Sequence, residues 1–207
     1  MHTTERPVIV KLGGSFAFSP HLRDWIEALA GCSGRAIIVP GGGPFADAVR
    51  SAQLQIGFDD RAAHHMALLA MEQYGRALAG TNGALSPADS VEAIHNTLST
   101  GRIPVWMPVR MALDAADIAV SWDVTSDSLA AWLGARIGGE RLFLVKHADS
   151  LSQPASVEDL AACGILDGAF PGYLRKSSLR AFILGPADYA VASAAIQAGT
   201  PAGVAIE

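Results

Sequence analysis

Val8-Ile9-Val10-Lys11-Leu12-Gly13-Gly14-Ser15 and Arg35-Ala36-Ile37-Ile38-Val39-Pro40-Gly41-Gly42-Gly43-Pro44, with strands read over 8–12 and 35–39, decide the fold class of this chain. Each is a short apolar run, rich in β-branched residues, that stops at glycine and so reads as a strand with a tight turn behind it. Strands without polar alternation are covered on both faces, which is the pattern of a parallel sheet between two helical layers. Further runs at 103–107, 141–147, 181–184 and 203–206 read as strands of the same kind. Helical patterns at 21–30, 44–55, 60–79, 91–99, 126–137, 157–162 and 187–198 alternate with them. The expectation is an α/β chain, a three-layer αβα sandwich with a mainly parallel central sheet, as one domain over residues 1–207. Ser19, Ser90 and Ser156 stand where helices start, and Pro186 stands where the last one opens. The stretches 149–154 and 164–172 are the least regular and read as loops.

Half of the 207 residues are apolar and only 17% are charged, so a large core is available. No window reaches the roughly 18 uninterrupted apolar residues that a bilayer span needs. The first residues, MHTTERPVIVKL, pass from a polar lead into a strand, without the basic start and long apolar stretch of an export signal. A cytoplasmic location is the expectation. The formal charge of −5 excludes the broad basic face that nucleic acid requires. A compact anion is still accommodated, because a few lysines and backbone amides make a local positive site in an acidic protein. Cys32 and Cys163 have no metal-ligand or CxxC spacing and read as small buried thiols.

Both glycine loops end parallel strands, so both lie at the carboxyl edge where ligands of open α/β folds bind. Glycine lets backbone N–H groups approach phosphate oxygens, and a helix opening after Gly43 adds a favourable dipole. Tight strand-to-helix turns use glycine in any case. Residues 41–46 also satisfy a GxGxxG/A pattern, with Asp59 or Asp60 near the distance of a ribose-binding acid, which points to a nicotinamide or flavin enzyme. Against that reading, the glycines follow the second strand and no apolar strand leads to Asp60. A GxxxxGK[ST] phosphate loop does not occur.

Taken in order, VKLGGS (10–15), VPGGGPFAD (39–47), WDVTSDSLAAWLG (122–134) and LFLVKHAD (142–149) resemble the amino acid kinase family. Within it, AHHMALLAMEQYG (63–75) and the DVTSDSLAAW and LVKHAD wording resemble the [5-(aminomethyl)furan-3-yl]methyl phosphate kinases of methanofuran biosynthesis, a route of one-carbon metabolism. The resemblance implies ATP and Mg²⁺, a small-molecule phosphoryl acceptor and a homo-oligomer, a dimer or larger. It implies that Lys11 bridges the β- and γ-phosphates, and that Gly13, Gly14 and Ser15 hold ATP together with Lys146, His147 and Asp149. Gly41, Gly42 and Gly43 would face the acceptor, the N-terminal half holding the acceptor and the C-terminal half the nucleotide. Asp127 would orient the lysines and reach Mg²⁺ through water, and no residue is assigned as a direct metal ligand. The bland alternative makes Thr125, Ser126 and Asp127 a helix cap.

Lys146 ends an apolar strand, where a buried ammonium is costly, so it is expected to emerge at the same rim. Arg61 and His64 are candidates for the acceptor's phosphate, and Asp59, Asp60 or Glu72 for an amine. Met66, Leu68, Leu69 and Met71 are core or an oligomer contact. One departure from the family stands out in GAFPGYLRKSS (168–178): the place of a second transfer lysine holds Gly172. Lys176, Arg175 and Lys146 are all left as candidates for that task. UMP or a carboxylate as acceptor, and a non-catalytic nucleotide- or oxyanion-binding protein, are the remaining readings.

Overall fold

The computed structural model describes residues 6–147, 153 and 155–207. Its sheet contains β1 (Val8–Leu12), β2 (Ala36–Pro40), β3 (Leu85–Ala88), β4 (Ile103–Trp106), β5 (Arg141–Val145), β6 (Arg180–Leu184) and β7 (Val204–Ala205). Their spatial order is β3-β4-β2-β1-β5-β6-β7. All neighbours pair parallel except the last two, which are antiparallel. This is the mainly parallel α/β sheet that the apolar runs require.

Every residue of β1, β2 and β5 is buried, because helices cover both faces. Side chains along a strand alternate between faces, and two cores result. Ile9, Ile37, Val39 and Leu144 pack on one side with α6 (Ser126–Arg136), in which every residue from Ser126 to Gly134 is buried. Val10, Leu12, Ile38 and Phe143 pack on the other with α1 (Leu22–Ala30) and α9 (Tyr189–Ala198). Between β2 and β3 lie α2 (Gly43–Ile56) and α3 (Asp60–Ala79), the latter giving Leu68 and Met71 to one core and Tyr74 and Leu78 to the other. Met66 and Leu69 on the same helix face outward.

The start signals hold unevenly. Ser90 and Ser156 cap α4 (Val91–Ser99) and α7 (Val157–Ala162), accepting from Ala93 N and Asp159 N, each at 3.1 Å. Ser19 does not start α1; its hydroxyl accepts from His21 N. Pro186 lies ahead of α9 and its carbonyl instead accepts from Trp25 Nε1 at 2.8 Å. Four elements were not foreseen: the 3₁₀ helix Gly14–Phe18, β3, α5 (Val109–Ala112) and α8 (Phe170–Arg175). β3 reads Leu-Ser-Pro-Ala, and its place at the sheet edge tolerates Pro87. α8 falls at the end of a stretch read as loop, anchored by the fully buried Phe170. Of the other expected loop, 149–154, only Gln153 lies within the described residues. Cys32 is buried as expected, whereas Cys163 is exposed. Among the described residues no helix is long and apolar enough to cross a membrane.

The strand order fixes where a ligand can sit. From β1 the chain moves to β2 on one side and later returns to place β5 on the other, so the carboxyl ends of all three meet at a topological switch point. There the two glycine loops touch backbone to backbone. A Cβ on Gly14 would stand 2.2 Å from Gly43 N, and one on Gly41 would stand 2.2 Å from Gly14 N. Gly43 also has φ 56°, a left-handed conformation that costs any other residue energy. Gly14→Ala is therefore expected to destabilise the protein by about 1–3 kcal/mol in urea unfolding, as other overpacked sites do. Gly172→Ala, in α8 with nothing within 4 Å of the new Cβ, is expected to stabilise by about 0.5–1 kcal/mol.

Candidate active site

Lys11 is the penultimate residue of β1 and the one charged side chain of that strand, yet it is only 5% exposed. A buried ammonium needs a partner, and it has one: Nζ lies 2.8 Å from Oδ1 of Asp127. The other carboxylate oxygen, Oδ2, receives Lys146 Nζ at 2.5 Å. Lys146 directly follows β5. It reaches the rim as expected but stays mostly buried there, against Asp127, rather than emerging. Gly13 keeps this corner open, since a Cβ there would press on Lys11 Nζ at 3.2 Å.

Asp127 owes its position to the start of α6. Thr125 is the N-cap residue of that helix but makes no side-chain cap bond of its own. The cap comes from Asp167, forty positions further on, whose carboxylate accepts from Thr125 N and Oγ1, both at 2.9 Å, from Ser128 N at 3.0 Å and from Ser128 Oγ. Its own backbone N–H donates to Asp127 Oδ2 at 3.3 Å. Thr125 and Ser128 are thus held by Asp167, and Thr125 does not cap the helix with its own side chain.

The electrostatics follow from this packing. Burial pushes the Asp127 carboxyl up, but the charges of Lys11 and Lys146 outweigh it and hold the group below the usual carboxylate range. Lys146 is pushed down to about 8, first by burial and then by the Lys11 charge, against the pull of Asp127 and Asp167. With both lysines protonated, two positive charges share the Asp127 carboxylate, with the Asp167 carboxylate also within electrostatic reach of Lys146, and the two ammonium groups stand beside the glycine loops. That is an arrangement made for an anion.

Beyond the loops a cavity of about 300 Å³ opens. Gly14, Ser15, Gly42 and Gly43 line it together with the apolar Leu68, Met71 and Leu129. His64 also lines it, with Nε2 buried and unpartnered; burial and then the neighbouring His65 push its pKa down, favouring neutral imidazole.

The structure brings Lys11, Asp127 and Lys146 together, and sets Gly13, Gly14, Ser15, Gly41, Gly42 and Gly43 around them. His147 stacks on Phe16, ring centres 4.3 Å apart. Asp149 lies outside the described residues. Arg61 is not brought to the cavity: its side chain is 85% exposed, pairs with Asp114 at 3.8 Å and borders a separate depression. The three acids considered for an amine are engaged elsewhere. Asp59 caps α3 through Ala62 N, Asp60 accepts from Gln53 and Glu72 accepts from Val109 N. Arg175 pairs with Glu158 on α7, and Lys176 is exposed at the end of α8, so of the three basic candidates Lys146 is the one placed at Asp127. Asp167, Arg50 and Trp122 were missed. Nothing in the local sequence around Asp167 signals a cap for a distant helix.

Because Lys146 holds its proton less tightly when folded than a free lysine does, the unfolded chain binds more protons between pH 8 and the ordinary lysine value of 10.5. Stability gains from this group as pH rises through that window. Urea unfolding from pH 7.5 to 10 is expected to show this gain in the wild type relative to Lys146→Met, and parallel pH curves for the two proteins would contradict the buried, paired position of this lysine.

Comparison with known proteins places this geometry. A [5-(aminomethyl)furan-3-yl]methyl phosphate kinase from Methanocaldococcus jannaschii is 22% identical over 187 residues, 85% of this chain and 86% of that protein. Uridylate kinase from Archaeoglobus fulgidus superposes with a TM-score of 0.72 at 16% identity, over 97% of this chain and all of the other. An isopentenyl phosphate kinase gives a TM-score of 0.59 at 17% identity, over 97% of this chain and 99% of its own. The sequence pattern of the amino acid kinase family matches residues 6–158. This chain belongs to the amino acid kinase family and is a phosphotransferase.

Proposed function

We propose that the protein transfers the γ-phosphoryl group of ATP to the phosphate of an aminomethylfuran phosphate, forming the diphosphate. The observation that carries this reading is the Lys11–Asp127–Lys146 cluster beside two touching glycine loops, which also line a small cavity. ATP would lie along the Gly13, Gly14 and Ser15 amides with its phosphates at Lys146. The acceptor would occupy the cavity, whose lining mixes residues from both halves of the chain. One acceptor phosphate oxygen attacks the γ-phosphorus as the bond to the bridging β–γ oxygen breaks. ADP leaves with that electron pair, and a new phosphoanhydride remains on the acceptor.

Phosphoryl transfer of this kind asks the protein for alignment and for charge around the moving group. Lys11 and Lys146 supply the charge, and Asp127 keeps two like charges close enough to act on the same phosphoryl group. No general base is required, since a phosphate monoester oxygen is already ionised near neutral pH. Asp127, held below the usual carboxylate range between two ammonium groups, would be a poor one. Among the described residues no group of three or more His, Cys, Asp and Glu is placed to cage an ion, and both Asp127 oxygens face lysines, so Mg²⁺ would depend mainly on the nucleotide phosphates for its ligands. The ion would arrive on the nucleotide, where it neutralises phosphate charge.

Support for the acceptor comes from the furan phosphate kinase named above and from the cavity. About 300 Å³ is at the small end of ligand sites, suited to a single ring with two substituents. A cytoplasmic, homo-oligomeric enzyme of methanofuran-type cofactor synthesis follows from the same reading.

ADP release measured with aminomethylfuran phosphate, UMP, acetylglutamate and carbamate as acceptors is expected to be fastest with the furan. Release with another acceptor alone would reject the substrate and leave the kinase. Lys11→Met and Lys146→Met are each expected to lose about 100-fold or more in kcat while remaining folded by circular dichroism. The kcat/KM for ATP is expected to fall above pH 8, as free Lys146 loses its positive charge; a profile flat to pH 9.5 would separate Lys146 from nucleotide binding.

A further inference from the structure

One side of the cavity carries a series of contacts that the lysine cluster does not use. Trp122 lies in the segment leading to α6, and the Arg50 guanidinium lies over its ring, 4.5 Å from the centre. The indole is pinned from behind: Nε1 donates to Gln53 Oε1 at 2.7 Å, and Gln53 Nε2 donates to Asp60 Oδ1 at 2.9 Å. Arg50 and Gln53 are three apart on α2 and so share one face of the helix. Both Arg50 and Trp122 line the cavity, as does His64 with its buried, unpartnered Nε2.

Helical side chains lean toward the helix N-terminus, so Arg50 covers the turn at Ala46 and Asp47, one turn from Gly43 and the glycine loops. It meets Asp47 at 3.3 Å, an exposed pair of the kind that holds a group only weakly. A guanidinium lying over an aromatic face can still offer the N–H groups along its edge to a bidentate anion, which here would displace or share the Nη1 contact to Asp47, a residue that also lines the cavity.

We propose that Arg50 reads the acceptor's anion, gripping the phosphate oxygens that do not react, and that Trp122 and Gln53 are positioning residues that hold it flat. This deepens the reading of the acceptor as a phosphate monoester and rests on it. It also makes the enzyme selective by charge: the corresponding alcohol lacks what Arg50 binds.

Calorimetric titration with inorganic phosphate and with aminomethylfuran phosphate tests this, with the nucleotide site filled by a non-hydrolysable ATP analogue. Arg50→Gln is expected to weaken both by about 10- to 100-fold, with the affinity for the ATP analogue unchanged. Arg50→Lys should recover only part, because an ammonium cannot stack as a plane. Trp122→Ala should weaken binding comparably and cost little more when added to Arg50→Gln, whereas Trp122→Phe, which keeps a flat face, should lose less. Wild-type protein that binds inorganic phosphate through Arg50 but not the furan ester would reject the furan substrate and keep the assignment of Arg50. Arg50→Gln that binds inorganic phosphate as the wild type does, or a wild type that binds neither probe, would overturn it.

Discussion

Two ammonium groups held near each other in a buried corner repel, and the rest of the site depends on the single carboxylate that lets them stay. Asp127 is 2% exposed and meets Lys11 through one oxygen and Lys146 through the other. Its own burial is unfavourable and is offset only because both partners are charged. The cluster sets two ammonium groups on one shared carboxylate, and their position at the carboxyl rim of the sheet makes this corner a candidate anion site. Such a cluster is poor support for stability and good support for function, since apolar residues of similar volume would fill the corner more cheaply.

Placing Asp127 takes several layers of structure. The carboxylate sits in the first turn of α6, where the helix dipole favours negative charge. That turn is clamped by Asp167, and α6 is buried on all sides over its first nine residues, Ser126 to Gly134. β1 and β5, neighbours in the sheet, bring Lys11 and Lys146 to the same edge. The glycine loops complete the geometry by approaching more closely than any side chain would permit. Nucleotide and acceptor would thus meet across a boundary made of backbone alone.

The sheet was legible because its inner strands are continuous apolar runs, and a strand covered on both faces has no polar residue to confuse the reading. β3 escaped because an edge strand of four residues with Pro87 at its centre has neither length nor pattern. α8 escaped because Phe170 anchors a helix of less than two turns inside a glycine-rich stretch. At the site, Lys11 and Lys146 could be singled out beside a glycine turn and at the end of an apolar strand, whereas Asp127 was legible only through the resemblance of its DVTSDS motif to the family. Their convergence on one carboxylate depends on strand order, which local sequence does not encode. Asp59, Asp60, Glu72 and Arg61 misled for the opposite reason. They are polar residues on or near the right helix, and whether such a residue faces a cavity, a helix end or solvent is decided by tertiary packing. Arg50 drew no attention because its contact with the cavity-lining Trp122 joins residues 72 positions apart.

The central claim is that Lys146 sits buried between a like charge and a shared carboxylate, awaiting an anion. Titration of its ¹⁵N-labelled side chain by nuclear magnetic resonance measures this directly. The account predicts a midpoint near pH 8 in the free protein, moving upward when a non-hydrolysable ATP analogue binds. A midpoint at the ordinary lysine value, unmoved by the nucleotide, would contradict it.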